Sequence, residues 1–116
     1  MLQSIYSVFI QNDEQVQNCL FAMHHIAIQY SDEMGEDLKY SMPLITYKGK
    51  PFCYLWTDKK TKYPYYLMVK GDKISHPALE QGDRKRMKIL PIDPNNDIPI
   101  ETVYAVFDMA IALYSF

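Results

Sequence analysis

Cysteine is scarce in this chain: Cys19 and Cys53 are the only two among 116 residues. No C-x-x-C and no spaced Cys/His set accompanies them, which excludes a dithiol redox motif and a closed zinc site, so both are read as reduced packing residues. Lys and Arg are absent from residues 1–38. No run approaches the ~20 continuous apolar residues that cross a bilayer, and no basic residue precedes an apolar run near the start. The expectation is a soluble, cytoplasmic protein with no membrane partner. The sequence also lacks G-x-S-x-G, a phosphate-binding loop and a dinucleotide fingerprint. An enzyme is therefore not expected, and neither is a cofactor.

What is present fits one ordered domain over residues 1–116. Apolar residues make up 48% and charged residues 22%, and a chain of this length buries roughly 65% of its extended surface without staples. Charge is segregated along it. Residues 1–38 carry six acids, residues 39–90 hold all twelve basic residues against four acids, and the remainder holds four acids, so a basic middle lies between acidic ends.

Asn12 and Asp13 compete as N-caps for a helix whose apolar face is Val16, Cys19, Leu20, Met23, Ile26, Ala27 and Tyr30. A short leading helix is expected from Leu2, Ile5, Tyr6 and Phe9, and "SDEMGED" reads as an acidic connector. His24 and His25, adjacent on the helix, point about 100° apart and cannot share one ion, so they read as surface residues. From Lys39 to Lys70 the residue types and the breaks at "KGKP" and "DKKTK" predict three antiparallel strands, with Lys48 and Gly49 at a hairpin turn. Ser75, Pro77 and Gly82 suggest one helical turn; "RKRMKILPID" alternates like a strand. Pro99 opens a closing helix with a core stripe of Ile100, Val103, Phe107, Ala110, Ile111 and Tyr114. Val106, Met109 and Leu113 form a second stripe on it, which predicts a homodimer.

With "YSMP…YKGKP" (Tyr40 to Pro51) and "DIPIETV" (Asp97 to Val103) in this order, the chain resembles the YdhG-like family, domain of unknown function 1801. The resemblance runs from about Glu14 to Tyr114. It implies an α+β domain, an antiparallel sheet of four or five strands flanked by N- and C-terminal helices, frataxin-like in outline. On that analogy it also implies an alternative role as an iron chaperone, for which Asp32, Glu33, Glu36 and Asp37 are the candidate ligands.

Laid out as a hairpin, Ile45 would face Phe52, Leu44 would face Cys53, and Met42 would face Leu55. One sheet face is then aliphatic (Met42, Leu44, Cys53, Leu55) and the other aromatic (Pro43, Ile45, Tyr47, Phe52, Tyr54, Trp56), with Tyr63 and Tyr65 joining the latter. Two apolar faces need two covers. The N-terminal helix is expected on the aliphatic face, with the closing helix, the 71–83 segment or another subunit on part of the aromatic one. The candidate site on that aromatic side comprises Tyr54, Trp56, Tyr65, His76, Arg84, Arg86 and Lys88, suited to a small anionic or aromatic ligand or to a protein. Interleaved Lys, Arg and Tyr also fit single-stranded nucleic acid, but a pI near 5.8 and acidic ends argue against it.

Overall fold

The computed structural model describes Phe9 and residues 12–114. Helix α1 spans Glu14–Gln29, and Val16, Cys19, Leu20, Met23 and Ala27 on its apolar stripe are all buried. Asp13 occupies the N-cap position without a side-chain capping bond, while Asn12 donates from Nδ2 to the carbonyl of Phe9 at 3.1 Å. The expected leading helix lies outside the described residues except for Phe9, whose buried ring meets those of Phe21 and His24 edge-on.

Five antiparallel strands follow in chain order across one sheet: β1 (Met34–Lys39), β2 (Met42–Tyr47), β3 (Lys50–Thr57), β4 (Pro64–Met68) and β5 (Lys88–Pro91). Helix α2, Ile100–Ile111, completes the α+β arrangement. Both helices cover the same face. Tyr66 shows this directly: its hydroxyl donates to the Met23 carbonyl of α1 at 2.7 Å, and its ring stands 5.3 Å from that of Phe107 in α2. The closing helix is thus not a cover of the second face, which corrects that expectation.

Strand β1 corrects the acidic connector, since Met34, Glu36 and Leu38 pair with Tyr47, Ile45 and Pro43 of β2. The segment has few β-formers, and pairing with β2 extends it. Its acids sit on a sheet edge, where charge discourages pairing with another chain. Glu36 points toward the helices and is hydrogen-bonded to His24, so this histidine is buried rather than on the surface, whereas His25 is exposed.

The β1–β2 turn places Tyr40 at φ +56° and Ser41 at φ +61°, a conformation in which Asn-Gly is preferred and ordinary side chains are strained. Replacing the pair, Tyr40→Asn with Ser41→Gly, should stabilise the domain by about 1 kcal/mol and raise its thermal midpoint by ~4 °C. An unchanged or lower midpoint in a calorimetric melt would contradict the strain. The β2–β3 turn falls where expected, with Lys48 at φ +50° and Gly49 at φ +81°.

The hairpin register differs from the one expected. Thr46 pairs with Pro51 but Ile45 pairs with Cys53, which leaves Phe52 as the extra residue of a β-bulge. The bulge shifts every later pair by one residue, so the expected faces are corrected: Leu44 pairs with Tyr54, and Ile45 with Cys53. Ile45, Phe52, Cys53, Leu55, Tyr66, Met68 and Leu90 belong to the core beneath the helices. Leu44, Tyr54, Tyr65 and Ile89 are buried outside that cluster, on the opposite face.

Residues 75–82, expected as one helical turn, hold a single hydrogen-bonded turn in which the Leu79 N–H donates to the His76 carbonyl at 3.0 Å, and a 3-10 turn at Gly71–Lys73 precedes it. A Cβ on Gly71 would stand 2.2 Å from the backbone N of Lys88, so a residue without a side chain sets this close approach. Strand β5 starts only at Lys88, leaving Arg84 and Arg86 in the loop before it. In α2, Val106 is fully buried with Val103, Phe107 and Ala110, whereas Ile100 and Met109 are 47% and 37% exposed. The second stripe is therefore divided, its first member contributing to the core.

Candidate functional site

The helix-free face carries a cleft at the end of β3. Trp56 pairs with Tyr65 across β3 and β4, and with Ile89 they supply its apolar lining. One wall is the β3–β4 loop. There Asp58 Oδ1 accepts the backbone N–H groups of Lys60 at 2.7 Å and Thr61 at 3.0 Å. Those bonds, that from Thr61 most, hold the Asp58 carboxyl below its ordinary range. The loop is closed by Asp58 N–H donating to the Tyr63 carbonyl at 2.9 Å.

The other wall is the segment from Glu80 to Arg84. Glu80 and Ile89 exchange backbone hydrogen bonds at 2.9 and 2.8 Å, and Gly82 takes φ +58° to reverse the chain. Gln81 Nε2 donates to the Arg84 carbonyl at 2.8 Å, while Arg84 Nη1 donates to the Gln81 carbonyl at 3.3 Å. The guanidinium is thereby placed 5.9 Å above the Tyr65 ring. Burial raises the Tyr65 hydroxyl pKa, and the positive charge of Arg84 works in the opposite direction. The cleft has a volume of about 580 Å³, and its lining holds three cations, Lys59, Lys60 and Arg84, and three carboxylates, Asp58, Glu80 and Asp83.

Of the residues expected at the site, Trp56, Tyr65 and Arg84 come together. Tyr54 lies on the same face, one cross-strand row away, and is buried outside the lining. His76 is not at the rim: its Nδ1 accepts the Ala78 N–H at 3.0 Å in a separate turn. Lys88 donates from Nζ to the Ile74 carbonyl at 2.7 Å, and Arg86 lies beyond the cleft along the same loop. The expectation of one continuous basic strand grouped these residues too generously. The Asp58–Lys60 wall was missed because "DKKTK" signals a turn without showing which face that turn overhangs.

Both thiols are buried. Burial pushes Cys19 up to about 11 and raises Cys53 further, which removes thiolate character at neutral pH. Glu36 and Asp37, successive residues of a strand, face opposite sides. Glu36 is engaged by His24, and Asp37 Oδ1 accepts the Leu38 N–H at 2.8 Å. Asp32 and Glu33 are exposed in the preceding turn. Among the described residues, no three His, Cys, Asp or Glu side chains are grouped so as to hold a metal ion, and no helix is long and apolar enough to cross a membrane.

Comparison with protein-family models, with curated proteins and with solved structures finds no match for this chain.

Proposed function

We propose that the chain is a small, non-enzymatic binding module that takes a planar, anionic ligand in the Trp56–Tyr65–Arg84 cleft. The observation that carries the reading is the meeting of an indole, a phenol and a guanidinium in one concave site, whose lining also holds Lys59 and Lys60 beside Asp58, Glu80 and Asp83. The ring of the ligand stacks on Trp56, and its anionic group is received by Arg84 and the two lysines. Membership of the YdhG-like family and a reducing, cytoplasmic setting belong to the same proposal; the α+β fold and the two buried free thiols accord with them. Dimerisation enters only through the exposed Met109. Sedimentation at high concentration that returns the mass of one 13.6 kDa chain would remove it.

Trp56 is the single tryptophan, so its emission reports on the cleft without labelling. Titration with benzoate, indole carboxylates and nucleoside monophosphates should give a saturable change for at least one of them. Arg84→Ala should weaken that binding about tenfold, the loss of the one cation that stands over an aromatic ring of the cleft. No saturable change with any ring-bearing anion, or equal binding by the variant, would overturn the reading. Iron binding at Asp32, Glu33, Glu36 and Asp37 is the alternative. Calorimetry with ferrous ion on wild type and on a variant lacking these four carboxylates decides it, the alternative requiring uptake that the variant loses.

A further inference from the structure

The flank of the Arg84–Met87 segment away from the cleft borders a second concavity, of about 610 Å³. Val69, Met87 and Leu113 supply its apolar lining, and Lys70, Lys73 and Arg86 outnumber one carboxylate, Asp72. Its walls are fastened to each other. Gly71 presses its backbone against Lys88 at a distance that no Cβ would tolerate, and the Asp72 N–H donates to the Arg86 carbonyl at 2.8 Å. The end of α2 is drawn in by Lys70, whose Nζ donates to the Leu113 carbonyl at 3.3 Å and lies 4.2 Å from the centre of the Tyr114 ring. A groove fixed in this way needs little ordering when a ligand arrives. Lys73 and Arg86 are exposed, and no hydrogen bond or ion pair occupies their side chains among the described residues.

We propose that this groove binds a soluble amphipathic anion, an alkyl carboxylate or alkyl phosphate. The head group lies against Lys73 and Arg86, and the hydrocarbon covers Val69, Met87 and Leu113. A purely ionic ligand leaves the apolar wall wet, and a purely apolar one leaves two cations unanswered. An anion carrying a short chain satisfies both. The site is independent of the Trp56 cleft, with which it shares no lining residue.

Octanoate and octyl phosphate are the probes, followed by chemical-shift titration of the Met87 and Leu113 methyl groups. Both should saturate, and octanol and inorganic phosphate should each bind at least about tenfold more weakly, since each lacks one half of the recognition. Lys73→Ala with Arg86→Ala should weaken octanoate about tenfold, at up to about fivefold per exposed ion pair. These side chains support nothing else, so the fold should be kept, as circular dichroism can verify. Met87→Asp should also weaken binding, whereas Trp56→Ala should leave it unchanged. Failure of both probes to saturate, or wild-type affinity in the double variant, would overturn the proposal. Cosedimentation with phosphatidylglycerol vesicles in place of octanoate binding would assign the anion to a membrane and overturn the soluble-ligand form.

Discussion

Phe107→Ala is expected to remove about 3–5 kcal/mol of stability, the usual cost of emptying an aromatic site in a closed core. Phe107 is fully buried, and its ring meets those of Tyr30, Phe52 and Tyr66 edge-on with centroids 5.1 to 5.3 Å apart. Each partner comes from a different place: Tyr30 from the end of α1, Phe52 from the bulge, Tyr66 from the centre of β4. Truncation thus removes the common contact of helix and sheet, and three large rings cannot collapse into the space without leaving their rotamers. Against a total of about 5–15 kcal/mol for a domain, such a loss should lower the thermal midpoint by more than ~10 °C. Phe107→Leu should fall well short of that. Urea melts showing a loss below about 1 kcal/mol would mean that the rings are not a shared hub.

Alkali should unfold the protein cooperatively. Tyr66, Tyr30 and Tyr114 are raised above their ordinary 10.0, chiefly by burial, Tyr114 to about 12; the thiols of Cys19 and Cys53 are raised above 9.0 by the same cause. The hydroxyls of Tyr66, Tyr30 and Tyr114 donate to the Met23 carbonyl, to Asp108 at 2.5 Å and to the Pro51 carbonyl at 2.6 Å. Ionisation deletes each donor. The native state holds these protons where the unfolded chain has released them, so stability falls as pH rises. The contribution is complete below the unfolded values, begins to fade near pH 9.0 as the thiols ionise in the unfolded chain, and is largely lost as pH passes 12. The last part of the rise in absorbance at 295 nm, that of the buried tyrosines among the ten in the chain, should therefore coincide with the loss of far-ultraviolet circular dichroism. Tyrosine ionisation completed while the helical signal persists would refute the coupling.

The helices were legible because burial on one side of a cylinder leaves a three-four spacing, as Val16 to Ala27 shows. Lys48-Gly49 was equally plain as a turn. The bulge was not: nothing in "KGKPFCYLW" says that Phe52 stands outside the alternation, since the ring of Phe107 that draws it to the core comes from fifty-five positions further on. Strand β1 was hidden for a related reason, because "MGEDLK" acquires its conformation from β2. The candidate site was legible in part. Trp56 and Tyr65 follow from strand pairing, but the overhang of Asp58 and the reversal at Gly82 depend on loop paths that leave no periodic trace.

The extra residue in β3 also divides responsibility along a single strand. A substitution at Phe52 must answer to the aromatic hub under the helices. Trp56 answers to the cleft, Tyr54 is buried beside it on the same face, and the inward-pointing Cys53 and Leu55 constrain the interior. A lineage, or a designer, could therefore rework the rings of that cleft residue by residue while the foundation beneath it stayed untouched.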